Sequence, residues 1–198
     1  MNQTPARYEF RIWGNSLTPF RERLEHGGNP VKTVSSETYL LSLANDGCNA
    51  KIRAGLIDIK VLALENRGLE QWKPILKAPF PIDREVITSQ ICPSLGVQPP
   101  QLIEAQYKMD EFLRQIAGCR PSIGIVQVSK TRFQFTLGDC FAEFATVHFN
   151  DAGCETVAAE SSDPDKVLQL IDEIGLTGME NVSYVRYLKR ALTIGSKP

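Results

Sequence analysis

The sequence lacks most of the residue patterns by which enzymes are recognised. It contains no P-loop, no dinucleotide-binding glycine motif, no G-x-S-x-G elbow and no H-E-x-x-H zinc motif. Histidine occurs only twice, as His26 in a loop that ends a predicted helix and as His148 at the end of a predicted strand. These absences exclude the common motif-based nucleotide, esterase and peptidase sites, and they leave neither histidine as a good candidate for acid–base or metal chemistry.

Cysteine is also used sparingly. The cysteines are odd in number, widely spaced and free of any C-x-x-C pair; they are Cys48, Cys92, Cys119, Cys140 and Cys154. This pattern argues against a disulfide framework and against a zinc site. The chain has neither an apolar run long enough to span a bilayer nor a leader pattern in its first residues. We therefore expect a cytoplasmic protein with free, inert thiols and no membrane partner.

An excess of positive charge is absent as well. The 22 lysines and arginines are balanced by 23 aspartates and glutamates, which gives a formal net charge of -1. A general nucleic-acid binder is normally basic over a whole face, so we expect no nucleic-acid partner. Cations gathered in one concave site are compatible with this total.

What the sequence does contain is a set of strands in which charged and apolar residues alternate. The clearest case is the segment 49–62, which reads as two strands joined by a tight turn at residues 54–56. Lys51 and Arg53 share one face of the first strand, and Lys60 lies on the polar face of the second. Such alternation is most often a solvated surface. The recurrence of cations on several strands favours a shared polar site instead.

The same alternation predicts the fold. Further strands are expected at 8–13, 36–42, 69–73, 123–137, 140–150 and 154–161, and helices at 19–25, after Pro164 and at 183–192. Between the two groups of strands, helical spacing at 82–92 and 101–117 surrounds a proline-rich break. If the polar faces carry functional cations, the architecture that suits such strands is a closed or nearly closed barrel with a polar interior. We predict one α+β domain over residues 1–198, an eight-stranded antiparallel barrel with flanking helices and a helical excursion at 79–121.

The polar faces of the strands carry the candidate site. Their cations, which we expect to bind phosphate, are Arg11, Lys51, Arg53, Lys60, Lys130 and Arg132. Arginine offers two parallel hydrogen bonds to a phosphate, and lysine offers a point charge. Carboxylates on the same faces are candidate ligands for Mg²⁺ or Mn²⁺; they include Glu37, and those we select are Glu9, Glu143 and Glu160. Phosphoryl transfer needs both sets of groups.

The order of these motifs resembles the CYTH domain of the triphosphate tunnel metalloenzyme superfamily. The opening strand motif of that family, E-x-E-x-K, is matched here by R-Y-E-F-R at 7–11. Its R-x-R and K-x-R strands are matched by K-I-R at 51–53 and K-T-R at 130–132, and a strand lysine is matched by Lys60. The segments 156–167 and 181–189 are similar to a C-terminal pattern of bacterial members. The resemblance covers nearly the whole chain and is loosest at 74–122.

The resemblance implies a β-tunnel that binds a small phosphorylated ligand, namely inorganic triphosphate, a nucleoside triphosphate or thiamine triphosphate. It also implies metal-assisted hydrolysis, with Glu9 and Lys60 as catalytic residues. Adenylate cyclase chemistry is less favoured, since nothing in the sequence specifies an adenine pocket. One departure bears on the metal: Arg7 stands where the family has its first glutamate, and this reversal of charge disfavours Mg²⁺ or Mn²⁺.

Two other interpretations stay open at this point. The departure at Arg7 favours a non-catalytic module that binds a polyphosphate or nucleotide through a degenerate metal site. An interaction protein with solvated strands and no ligand is the third interpretation, and an open sheet would establish it. Apolar residues between 79 and 116 either form a homodimer contact or cover the barrel.

Overall fold

The computed structural model describes residues 5–118, 122–150 and 152–195, so Cys119 lies outside it. Ten strands are described in this part of the chain: β1 (Arg7–Gly14), β2 (Val31–Ser42), β3 (Cys48–Arg53), β4 (Leu56–Asn66), β5 (Leu69–Pro79), β6 (Ile82–Asp83), β7 (Gln106–Tyr107), β8 (Ile123–Leu137), β9 (Cys140–Phe149) and β10 (Ala152–Ser161). Eight of them form a closed antiparallel barrel in the order β1-β10-β9-β8-β2-β3-β4-β5. The predicted fold class is confirmed.

The helices lie around this barrel. They are α1 (Thr18–Gly27), α2 (Arg84–Val86), a π-helical turn (Ile87–Ile91), α3 (Cys92–Leu95), α4 (Met109–Ala117), α5 (Pro164–Glu173) and α6 (Tyr184–Gly195). Helix α5 begins as predicted, because Pro164 occupies its first turn and the Asp163 side chain accepts a hydrogen bond from the backbone of Asp165. Within the described segments, no helix has the length and apolar character that a membrane crossing requires.

The hairpin of β3 and β4 has the predicted turn and the predicted two faces. Ala54 and Gly55 both have positive φ, 50° and 73°, which matches the right-handed twist of the two strands. The apolar face of the hairpin is buried under the segment between β5 and β8. The two form one hydrophobic cluster, which includes Ile52, Ile57, Ile59, Ile87, Ile91, Phe112 and Ile116. The apolar residues of that segment therefore cover the barrel, which was one of the two interpretations of them.

The helix predicted at 101–117 is too long by eight residues. Helix α4 begins only at Met109, and the chain before it forms strand β7, which pairs with β6. The Glu111 side chain accepts a hydrogen bond from the backbone of Lys108 at 2.9 Å, which fixes the start of the helix there. Apolar spacing alone did not reveal this start, because Leu102 is half-buried in the same core as the helix without being helical.

Strand β5 is longer than predicted, because Pro74 does not end it. Ile59 pairs with Leu76 while Lys60 pairs with Pro74, so the register shifts and Ile75 is the extra residue of a β-bulge. Proline is tolerated at a bulge, where the strand has no ladder hydrogen bond to lose. The strand then continues to Pro79.

Helix α6 closes one end of the barrel. Its first residues pack on strand side chains that lie two or four residues from those of the candidate site and so share their inward face. This cluster includes Tyr39, Leu41, Val126, Val128, Ala145, Val147, Tyr184, Val185 and Leu188. The segment that leads into α6 is held against β1, since the backbone N–H of Val182 donates to the carbonyl of Arg11 at 2.8 Å. The indole N–H of Trp13 donates to the carbonyl of Val182, also at 2.8 Å. Half of the barrel interior is thus filled, and the other half holds a cavity.

Candidate functional site

A cavity of about 610 Å³ occupies the open half of the barrel. Every residue that we selected from the sequence lines it: Glu9, Arg11, Lys51, Arg53, Lys60, Lys130, Arg132, Glu143 and Glu160. They come from β1, β3, β4, β8, β9 and β10, and each faces inward because side chains alternate along a strand. The cavity deepens from Arg53, whose side chain is 35% exposed, to Lys130, whose side chain is 3% exposed. These cations are therefore not a solvated outer surface.

One buried carboxylate gathers three of the cations. Glu37 on β2 accepts a hydrogen bond from Lys130 Nζ at 2.7 Å, and it forms ion pairs with Lys51 at 3.5 Å and Arg53 at 3.4 Å. Its side chain is fully buried. Burial alone would raise the pKa of Glu37, but Lys51, Lys130 and Arg53 outweigh burial and hold this pKa far below its ordinary value. Glu37 is therefore ionised and holds the three cations at fixed positions.

Lys130 is the most buried of the cations. Burial and the neighbouring charge of Lys51 lower its pKa to about 7, although Glu37 opposes this shift. Its ammonium group also donates to the hydroxyl of Tyr39 at 2.8 Å and lies 3.7 Å from the ring centre of Tyr184. The pKa of Lys51 is lowered too, chiefly by burial. The charge of the cavity therefore changes near neutral pH.

Each carboxylate that we selected as a metal ligand is paired with an arginine. Arg11 Nε donates to Glu9 at 2.8 Å, Arg132 Nε donates to Glu143 at 2.6 Å, and Arg7 Nη1 donates to Glu160 at 2.9 Å. A second contact joins Arg11 to Glu143 at 3.4 Å. Burial opposes ionisation of Glu9 and Glu143, but the neighbouring cations lower the pKa of both.

These pairs do not fit a divalent cation. Mg²⁺ and Mn²⁺ need several oxygen ligands free to coordinate them. In the described part of the chain, no group of three or more histidine, cysteine, aspartate or glutamate side chains is placed to hold a metal ion. The carboxylates of Glu9, Glu143 and Glu160 are paired with guanidinium groups instead. Arg11 and Arg132 therefore disfavour a divalent cation in the same way as is expected of Arg7.

Lys60 differs from the other cations of the cavity. Each of the others forms an ion pair with a carboxylate, whereas Lys60 has neither an ion pair nor a hydrogen bond among the described residues. Its charge nevertheless acts on the site, because it contributes to the lowered pKa of Glu9. Lys60 is therefore the cation most readily available to an added anion.

Some lining residues were not selected from the sequence. Arg7 was treated only as a departure from a motif, and Tyr39, Asn49 and Tyr184 were given no role, yet all of them line the cavity. For Tyr39 a signal existed, since it shares a strand face with Glu37. Tyr184 lies in the segment 181–189, which contributes to the family resemblance, but its helical spacing gives no indication that the helix enters a barrel.

No protein-family profile matches the sequence, and no curated protein is significantly similar to it. The barrel does match solved structures. The PH1819 protein from Pyrococcus horikoshii OT3 has a TM-score of 0.50 and 14% identity, covering 93% of this chain and 99% of that one. The PH1012 protein of the same organism has a TM-score of 0.52 and 14% identity, with coverage of 92% and 98%.

A protein from Bacillus halodurans, provisionally assigned as an adenylate cyclase, has a TM-score of 0.52 and 8% identity, with coverage of 94% of this chain and 98% of that chain. Similarity at these identities concerns the fold alone. The chain shares with these proteins the fold that the sequence predicts, an eight-stranded antiparallel barrel with flanking helices.

Proposed function

We propose that the barrel binds a compound carrying a triphosphate or related polyphosphate group. The observation that carries this proposal is the surplus of positive charge in the cavity of the closed barrel. Among the described residues, seven cationic side chains and four carboxylates line it, and Glu37 lies behind them. Arginine and lysine together suit a ligand with several phosphate groups, because the first binds two oxygens in parallel and the second attracts charge without a fixed geometry.

The arrangement is prepared for an anion before the anion arrives. Glu37 and Glu143 hold their cations in position, so fewer side chains need to be ordered when a ligand binds. The volume of about 610 Å³ is in the usual range for a small-molecule site. The proposal is confined to binding, since the metal route to hydrolysis through Glu9 and Lys60 would need carboxylates that are here paired with arginines.

The test is a calorimetric titration of the purified protein with tripolyphosphate in a buffer containing a chelator. We expect binding, with pyrophosphate weaker and orthophosphate weaker still, because a shorter anion reaches fewer of the cations. Phosphate release is measured in parallel samples with Mg²⁺ or Mn²⁺, and we expect none. Release that depends on the metal would establish a hydrolase. Absence of binding by every phosphate compound would exclude a cationic binding site.

Binding should weaken as the pH rises through neutrality. Lys130 has a pKa of about 7, below its ordinary value, so it is charged below that pH and neutral above it. A bound polyphosphate favours the charged form, so binding above neutrality takes up a proton. We expect the dissociation constant to rise about tenfold from about pH 6 to about pH 8.5.

Calorimetry in two buffers of different ionisation enthalpy measures this proton uptake directly. The groups that surround Lys130 are Glu37, Tyr39, Lys51, Glu143 and Tyr184, and the lowered pKa of Lys51 acts in the same direction. The variant Lys130→Met should bind more weakly at low pH and show a flatter profile. A pH-independent affinity in the unmodified protein would contradict the assignment.

A further inference from the structure

The arginine–carboxylate pairs determine which ionic form of a polyphosphate suits the cavity. A polyphosphate complexed with Mg²⁺ brings two positive charges into a space already lined by seven cationic side chains. Its metal ion would also seek protein oxygens, and those of Glu9, Glu143 and Glu160 accept hydrogen bonds from arginines at 2.6–2.9 Å. Both effects oppose the complex, and neither opposes the free anion.

Arg7 is placed to bind a phosphate group of the ligand. Its side chain is 31% exposed, near the outer end of the cavity, and its guanidinium group lies 4.5 Å from the ring centre of Phe141. One N–H of this group donates to Glu160. A guanidinium has five N–H donors in a planar fork, so others remain for a phosphate.

We propose that the cavity selects polyphosphate free of divalent cations, with Arg7 and Arg11 supplying the positive charge that a metal ion would otherwise bring. This rests on the proposed binding of polyphosphate. Arg11 lies deeper, with 8% of its side chain exposed, and joins Glu9 to Glu143. Together with Arg132, these two arginines pair with all three carboxylates, from the outer end of the cavity to its interior.

The register of the strands makes Arg7 the residue that controls this preference. Glu9 on β1 lies directly opposite Glu160 on β10, and Arg7 lies two residues before Glu9 on the same face. Replacing Arg7 by glutamate removes the partner of Glu160 and adds a carboxylate beside the two already present. That group of oxygens is of the kind that coordinates Mg²⁺ and Mn²⁺.

The experiment compares the unmodified protein with R7E by calorimetric titration with tripolyphosphate, in chelator and in excess Mg²⁺, after correction for the binding of Mg²⁺ to the ligand. For the unmodified protein, we expect Mg²⁺ to weaken binding at least about tenfold. For R7E, we expect weaker binding in chelator and stronger binding when Mg²⁺ is added. Mn²⁺ binding to the ligand-free proteins is read by electron paramagnetic resonance, with R7E binding Mn²⁺ and the unmodified protein not.

A matched control is Arg190→Glu, which makes the same change of charge at an exposed ion pair with Glu180. It should behave as the unmodified protein does. The variant Arg7→Gln removes the charge without adding a carboxylate, so it should weaken binding in chelator and gain no Mn²⁺ site.

Equal affinity of the unmodified protein for free and Mg²⁺-bound tripolyphosphate would overturn the inference, as would binding that requires Mg²⁺. An unmodified protein that binds Mn²⁺ tightly would also overturn it. Failure of tripolyphosphate to bind under either condition is a different result, because it removes the proposed function itself.

Discussion

Replacing Lys60 by glutamine is expected to weaken tripolyphosphate binding about 10- to 100-fold, the effect of losing one charge-assisted hydrogen bond. Lys60 lines the cavity and has no ion-pair or hydrogen-bond partner among the described residues, so its charge is available to the ligand. The same isolation means that its removal leaves no carboxylate without a partner. The midpoint of thermal unfolding of Lys60→Gln should therefore differ from that of the unmodified protein by no more than a typical surface substitution would change it.

The matched control is Lys73→Gln. Lys73 lies on β5, exposed and outside the lining of the cavity. Its affinity for tripolyphosphate should equal that of the unmodified protein. If Lys60→Gln and Lys73→Gln bind equally well, the ligand does not occupy this cavity. If Lys60→Gln unfolds at a much lower temperature, Lys60 has a structural role that the contacts do not show.

Much of the site could be predicted because a strand has a period of two. Lys51 and Arg53 must point the same way in any register, and so must Lys130 and Arg132. The spacing within each strand is therefore enough to predict which residues share a face. The closure of the barrel adds only that all of these faces look into one interior.

Most of the charge partners could not be predicted, because they depend on the register between different strands. Glu37 reaches Arg53 because these two residues pair directly across β2 and β3. Glu160 reaches Arg7 across the pairing of β10 with β1, more than 150 positions away in the sequence. A single-residue slip at either pairing would have sent the carboxylate to the outer face. The carboxylates chosen from the sequence as metal ligands face the cavity. Arg11 lies two residues from Glu9 on the same strand face, so this partner was within reach of the spacing. The pairs of Arg7 with Glu160 and of Arg132 with Glu143 depend instead on the pairing of strands.

The entry of α6 into the barrel was equally inaccessible. The apolar spacing of 183–192 predicts a helix with one buried face, and such a helix normally packs on the outside of a sheet. Here it packs on inward-facing side chains at one end of the barrel, which are apolar and include Leu41, Val126 and Val147. The charged inward-facing residues lie on the other side of Tyr39 and line the cavity. This division of the barrel interior is visible only once the strands are aligned.

The variant Glu37→Gln is expected to lose about 3–5 kcal/mol of unfolding free energy near neutral pH, because three cations would be left without their buried partner. The pKa of Glu37 is far below its ordinary value, so its stabilising contribution is present above the ordinary carboxyl range and lost as the pH falls through the folded pKa. The difference between the two proteins should therefore narrow in acid. Urea unfolding at several pH values measures this difference. The surface variant Glu180→Gln should match the unmodified protein, because the Glu180 side chain is 69% exposed.

The same variant should bind tripolyphosphate more tightly, by about tenfold, at a pH low enough to keep Lys130 charged. That pH is lower than in the unmodified protein, because Glu37 raises the pKa of Lys130. Glu37 stabilises the empty barrel by forming ion pairs with cations that the ligand also needs. Without Glu37, these cations are free to pair with the phosphate groups of the ligand. Saturating tripolyphosphate should then recover more unfolding free energy in Glu37→Gln than in the unmodified protein. Weaker binding by a folded Glu37→Gln would mean that Glu37 acts mainly by holding Lys51, Arg53 and Lys130 in position, and that its competition with the ligand is minor.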